Sequence, residues 1–277
     1  MGRTSRSPAG LSRSMGAIEA MVGLPGDDRM KVVREETGGF TKAADEYERG
    51  RPGYPADAVQ WVAGRAGLRP GKRVVDLAAG TGKLTRELVA TGAEVVAVEP
   101  LAEMRKHLKG SLPSVPVVGG IAEATGLAAD CADAVTIAQA FHWFANEATL
   151  AELARIMRRD GLLFLIWNRR ELDDPLQAAI SELTLPHVGA TPSYGSGSWQ
   201  PVMRACPSFA LDEEHHSRFS QLVDRRRLVD RVASTSYIAL LADEVRLPLL
   251  EQVAALIGPG QEAELPYTTD VYCYRRL

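Results

Sequence analysis

Between residues 73 and 167 the chain carries five short apolar runs, at 73–77, 94–98, 115–118, 134–138 and 162–167, each followed by a Gly or Pro signal and a helical pattern. Runs this continuous and this rich in Val are strands buried on both faces, which requires a parallel sheet covered by helices. Their spacing of roughly 20 to 30 residues fits β-α-β units joined by right-handed crossovers. The pattern predicts an α/β fold built on an open, doubly wound sheet. Ahead of it a helix begins near Tyr54-Pro55-Ala56-Asp57, with Ala58, Val59, Val62 and Ala66 on its apolar stripe, and stops at Gly67 and Pro70-Gly71. Past Asn168 the alternation lapses. Helical periodicity then covers 172–186 and 221–257, a Gly- and Ser-rich loop covers 189–198, and 268–274 alternates like an edge or hairpin strand.

A chain of 277 residues with 45% hydrophobic and 24% charged residues can bury a large core. Wholesale disorder and fibrous architectures are therefore excluded. A formal charge of -3 offers no general attraction for nucleic acid or anionic lipid. Arg225-Arg226-Arg227 reads as the solvated face of an amphipathic helix, so no nucleic-acid partner is expected. Cys131, Cys206 and Cys273 lie far apart and form no CxxC pair, which fits a reducing, cytoplasmic setting. His215-His216 beside Asp212, Glu213 and Glu214 lacks a three-ligand pattern, and adjacent strand residues point to opposite faces, so no metal is expected. The most apolar stretch is about a third of the ~20 residues a helix needs to cross a bilayer, so no membrane span is expected. Residues 1–38 mix Gly, Ser, Arg and acids without an apolar period and without a secretory h-region, which predicts a flexible extension.

The most informative segment runs Val74-Val75-Asp76-Leu77-Ala78-Ala79-Gly80-Thr81-Gly82-Lys83-Leu84-Thr85, a strand, a turn of small residues and a helix start. Gly80 and Gly82 let the turn tighten and a ligand approach the backbone, and the helix N-terminus offers unpaired N–H groups. Glu99 closes the next strand, about 20 residues after Gly80, where a carboxylate can accept from both hydroxyls of a ribose. A phosphate-binding P-loop is disfavoured because Leu84 follows Lys83 where Ser or Thr belongs, and Leu77 occupies the first Gly position. The dinucleotide fingerprint lacks its third glycine at Thr85, which leaves an NAD(P)-dependent oxidoreductase as an alternative.

These residues together resemble motif I of the class I S-adenosylmethionine-dependent methyltransferases, an acid followed by Gly-x-Gly-x-Gly, with Asp76 as the acid and Ala78 in place of the first glycine. The resemblance continues through Glu99, the loop 119–123, the segment 134–144 and the strand-five region 158–167, and covers roughly residues 40–275. Tyr47-Glu48-Arg49-Gly50-Arg51-Pro52-Gly53-Tyr54-Pro55 and Gln139-Ala140-Phe141-His142-Trp143-Phe144 are similar to a small-molecule branch that includes trans-aconitate methyltransferase, as are Ser234-Thr235-Ser236-Tyr237 and 265–272. The resemblance implies a mostly parallel, seven-stranded Rossmann-like sheet with an antiparallel C-terminal strand. It implies a methyltransferase domain over 39–277, in which 169–260 forms a helical cover on the acceptor side.

The function so implied is transfer of a methyl group from S-adenosylmethionine to a small-molecule carboxylate or hydroxyl, by a monomer or homodimer. A non-catalytic S-adenosylmethionine-binding protein is the other alternative. The cofactor-binding residues expected on this reading are Tyr47, Arg51, Asp76, Ala78, Gly80, Gly82, Glu99, Pro100, Met104, Ala122, Glu123, Gln139 and Ala140. Asp76 would orient the loop or reach the methionine ammonium, and Met104 would pack on the adenine face. Tyr47, Arg51 and Tyr54 would close over the cofactor, a Tyr face favouring the sulfonium charge. His142 is the candidate general base, with the alternative that it shapes the pocket wall. Trp199, Tyr194 or Tyr237 is expected to line the acceptor pocket, and Arg51 is the first candidate to face an acceptor carboxylate.

Overall fold

The computed structural model describes residues 44–189 and 191–277, so the extension expected over 1–38 lies outside the described residues. The predicted β-α-β units form: β1 (Arg73–Leu77), α3 (Lys83–Val89), β2 (Glu94–Val98), α4 (Ala102–Ser111), β3 (Val117–Val118), β4 (Ala132–Ala138), α5 (Glu147–Ile156) and β5 (Met157–Arg170). Two helices precede them, α1 (Ala44–Gly50) and α2 (Ala56–Ala66). After β5 come α6 (Pro175–Thr184), α7 (Trp199–Ala205), β6 (Phe209–Asp224), α8 (Arg225–Ala233), α9 (Ser236–Ala239), α10 (Asp243–Ala255) and β7 (Glu262–Arg276).

The strands make one seven-stranded sheet in the order β3-β2-β1-β4-β5-β7-β6. The first five pair in parallel, whereas β7 runs antiparallel to both β5 and β6. Chain reversal between β1 and β4 makes a crevice at the carboxyl edge, where ligands bind in open α/β sheets. Because β7 is antiparallel, its first half lies at that same edge, with Tyr267 opposite Arg170 at the end of β5.

Alternate residues of each central strand feed two cores. Val75, Leu77, Ile137, Leu163, Leu165 and Trp167 pack with α5 and α7 on one face. Val74, Ala134, Leu162, Phe164 and Ile166 pack with α2 and α3 on the other. Double burial is therefore the reason these strands read as unbroken apolar runs. Local signals set the helix ends. Asn146 accepts from the Thr149 N–H at 2.9 Å to start α5. Asp174 caps α6 ahead of Pro175. Gly67, with φ 59°, ends α2 in the left-handed region, the usual device for stopping a helix.

The expected helix over 221–257 begins only at Arg225, because Gln221, Leu222 and Val223 belong to β6. Leu222 is exposed and Val223 buried, the alternation of a strand. The segment 169–260 is accordingly mixed rather than wholly helical. Strand β6 itself carries no apolar run, since it is a solvated edge strand whose exposed positions include Asp212, Glu213, Glu214 and His216, with a register shift between Leu211 and Glu213. Charged residues and bulges are how edge strands avoid pairing with other chains, and they also erase the hydrophobic signature by which strands are recognised in sequence.

Candidate active site

The turn after β1 is held in the left-handed region at Ala78 (φ 57°), Gly80 (φ 58°) and Gly82 (φ 89°). Ala78 stands where the family motif has glycine, and a side chain in this conformation costs about 1 kcal/mol. A Cβ placed on Gly80 would meet no atom within 4 Å, so the backbone faces open space at this turn. The Thr81 hydroxyl is buried beside it and has no hydrogen-bond partner among the described residues, although buried polar groups are nearly always satisfied. Gly82 instead faces the side chain of Leu108 on α4.

Glu99 ends β2 and is 4% exposed. One carboxylate oxygen accepts the Gly80 N–H at 2.9 Å and the other accepts the Leu101 N–H at 2.8 Å, so the acid ties the two crossover turns together. Burial pushes its pKa up to about 7 against those two hydrogen bonds. Arg105 holds the carbonyls of Glu99 and Pro100 at 2.8 and 2.7 Å. Asp76 is more deeply placed, accepting from the Thr85 and Thr136 hydroxyls at 2.6 and 2.9 Å, and burial raises it to about 6. Both of its carboxylate oxygens are thus engaged by residues of the sheet and α3.

Helix α1 roofs this edge. Tyr47 packs on Leu101 and Met104, Lys83 donates to the Glu48 carbonyl at 2.7 Å, and the Arg51 guanidinium lies 5.3 Å over the Tyr47 ring. Met104 is almost fully buried in that small cluster. Farther along the edge, Gly120 permits the backbone to touch Thr125, Ala122 is buried, and Glu123 accepts from the Asn146 amide at 2.9 Å.

After β4, Gln139 adopts φ 60°, a second non-glycine left-handed residue at this edge, and its side chain interacts with Tyr54. Unfavourable backbone conformations of this kind persist where the surroundings over-determine them. Ala140 precedes a short 3₁₀ turn, Phe141–Trp143, that carries His142. The Trp167 indole N–H donates to His142 Nδ1 at 3.2 Å. Desolvation, followed by the nearby Arg51 charge, pushes His142 down to about 4, so the ring is neutral at pH 7. With Nδ1 accepting, the ring proton sits on Nε2 and that nitrogen is a donor.

Tyr47, Arg51, Tyr54, Glu99, Gln139 and His142 thus converge on one edge. One residue expected in the acceptor pocket, Trp199, does not. Trp199 is 1% exposed and lies in the core against Phe141, Trp167 and Met203. Tyr194, half-buried, stacks on Trp167 at 4.7 Å and donates to Asp270 at 2.9 Å. The sequence did not single out Thr81, whose buried hydroxyl lacks a partner among the described residues, or Arg170 and Arg231, which meet through Tyr267. Thr81 was legible as a member of the turn; the two arginines had no local signal.

Residues 75–165 match the family described as methyltransferase domain. An uncharacterized methyltransferase of Mycobacterium tuberculosis is 34% identical over 236 residues, spanning 83% of this chain and 92% of that protein. The chain belongs to the class I S-adenosylmethionine-dependent methyltransferases. An uncharacterized methyltransferase of Schizosaccharomyces pombe is 37% identical over 225 residues, covering 79% of this chain and 88% of the relative. Among solved structures, a putative type II methyltransferase from Anaeromyxobacter dehalogenans shares the fold with a TM-score of 0.59 at 19% identity, covering 80% of this chain and 97% of that one. Membership in this family sets aside the dinucleotide oxidoreductase left as an alternative. No helix among the described residues is long and apolar enough to cross a membrane.

Proposed function

We propose that this methyltransferase binds S-adenosylmethionine along the β1–β2–β4 edge and methylates a carboxylate or hydroxyl of a small molecule in the cytoplasm. The observation that supports this most directly is the buried Glu99 carboxylate beside the open turn at Gly80, with the unpartnered Thr81 hydroxyl in the same turn. Each oxygen of Glu99 already accepts one backbone N–H and keeps a lone pair for a ribose hydroxyl. The cofactor, when bound, supplies an electrophilic methyl carbon on a sulfonium.

The chain's own work is then positioning and exclusion of water. Glu99 fixes the ribose, Asp76 orients the turn from below, and the Gly80–Gly82 segment admits the amino-acid tail. Met104, Pro100, Ala122 and Glu123 border the adenine. Gln139 and Ala140 flank the methionine side. Tyr47 and Arg51, carried on and just after α1, close the roof. In-line displacement requires the nucleophile about 3–3.5 Å behind the methyl carbon, and most of the rate enhancement comes from that placement. An ionised carboxylate needs no base at pH 7. His142 fits a donor and wall residue, because its Nδ1 lone pair is taken by Trp167.

Isothermal titration with S-adenosylhomocysteine tests the reading. Binding by the full chain that weakens in Glu99→Ala is the expected result; binding unaffected by the substitution would remove the ribose assignment, and no binding at all would remove the cofactor site.

A further inference from the structure

Resting on that reading of the edge, we propose that Arg51, Arg170 and Arg231 form an anion-recognition site, and that the methyl acceptor carries an ionised carboxylate or phosphate, separate from its nucleophile, that docks there.

The three residues come from distant segments: the loop after α1, the end of β5, and α8. Three contacts bring them together. Arg231 donates to the Tyr267 hydroxyl at 3.1 Å and lies over that ring, and Tyr267 is the register partner of Arg170. Arg51 donates to the Ser234 hydroxyl at 3.1 Å and to its carbonyl at 3.2 Å, while Ser234 in turn donates to the Arg231 carbonyl at 2.9 Å. All three arginines are partly buried.

None of the three forms an ion pair with a carboxylate among the described residues, although Arg49, Arg73, Arg155, Arg158 and Arg169 all do. The neighbouring acid, Asp230, is taken by Arg49 at 2.8 Å. The Arg170 side chain makes no hydrogen bond to any described residue. Desolvation and the Arg231 charge lower the pKa of Arg51 to about 10 and lower that of Arg170, yet guanidinium groups in this state remain protonated at pH 7. Partly buried like charges held together without counterions are costly to fold unless a ligand supplies the opposite charge. Guanidinium forks suit carboxylate and phosphate oxygens. Because Tyr267 accepts from Arg231, its own hydroxyl hydrogen is available as a further donor.

The site adjoins the methyl-transfer edge, since the Arg51 charge acts on His142 on one side and faces Tyr47 on the other. An anion gripped by several guanidinium N–H groups is a poor nucleophile, because its charge is stabilised in the ground state and would be lost on methylation. The group held here is therefore an anchor that survives in the product, and its binding energy positions a second group of the acceptor for transfer.

The test uses the full chain loaded with S-adenosylhomocysteine and titrated with succinate, inorganic phosphate and neutral succinamide against sodium chloride at matched ionic strength. Saturable binding of succinate or phosphate, absent for succinamide and chloride, is expected. It should weaken by about tenfold or more in Arg170→Gln and in Arg231→Gln, with S-adenosylhomocysteine affinity kept. Succinate alone binding assigns a carboxylate anchor, and phosphate alone a phosphorylated acceptor. An anion response no greater than that of chloride, or one undiminished in Arg170→Gln, would overturn the proposal. The Arg170 side chain has no hydrogen-bonded partner among the described residues to lose, so its variant stays informative if Arg231→Gln misfolds. Because anion binding can also be measured without S-adenosylhomocysteine, failure of the cofactor reading is seen separately.

Discussion

The β1–β2 and β5–β7 ends of the carboxyl edge gather different side chains and hold them in different ways. At the β1–β2 end, two buried acids, Asp76 and Glu99, are held by hydroxyls and backbone N–H groups rather than by salt bridges. At the β5–β7 end, Arg51, Arg170 and Arg231 gather with no paired acid among the described residues. A sugar diol donates hydrogen bonds and calls for an acceptor; an anionic substrate calls for donors. One sheet edge thus gathers buried acceptors at one end and guanidinium donors at the other. Helix α1 joins the halves: Lys83 holds it to the glycine turn through the Glu48 carbonyl, and Arg49 holds it to Asp230 on α8.

The sharpest break of the acidic end is Glu99→Ala. Two charge-assisted ribose bonds contribute roughly 3 kcal/mol together, so S-adenosylhomocysteine affinity measured calorimetrically should fall by about 100-fold. Next in size is Gly50→Ala. A Cβ at Gly50 would overlap the backbone of Asp230 and Arg231. The substitution should cost about 2 kcal/mol by overpacking, seen as a lower thermal midpoint. It should also weaken both ligands, because the joint between the halves opens.

A smaller effect follows from pH. Burial raises Glu99 to about 7 and Asp76 to about 6, so the folded chain holds these protons more tightly than the unfolded chain does. Their contribution to stability is therefore greatest in acid and declines as pH rises from roughly 4 through 7. Cofactor affinity should move the other way, climbing through about pH 7 as Glu99 ionises, and Glu99→Gln should flatten that climb. His142 is held near 4 and is hydrogen-bonded to Trp167. It should add no inflection between about pH 6 and 8 to the rate profile; a wild-type inflection there that His142→Gln abolishes would restore it as a base. The smallest effect is expected of Ala78→Gly, which relieves a left-handed alanine. The same change loosens the unfolded chain, for a net difference within about 1 kcal/mol by denaturant titration.

The acidic end was legible because its parts lie on two successive strand-and-turn units. Gly80, Gly82 and Glu99 sit at strand ends that apolar runs already mark, and a strand-turn-helix places them without long-range information. The basic end was not. Arg231 lies on a polar helix near three solvated arginines that look the same in sequence, and Arg170 follows another arginine at the end of β5. Only the register of Tyr267 against Arg170 and the seating of α8 on α1 distinguish them. Strand β6 escaped for a related reason: an edge strand buries too little to be apolar.

From sequence alone came the parallel sheet and the tight turn after its first strand, because burying strands on both faces writes an uninterrupted hydrophobic code and a tight turn demands glycine locally. Tertiary structure alone decided which arginines face inward, that Trp199 belongs to the core, and which nitrogen of His142 carries the proton. Those outcomes depend on partners distant along the chain, and charge or hydrogen-bond complementarity between such partners leaves no periodic trace in the residues themselves.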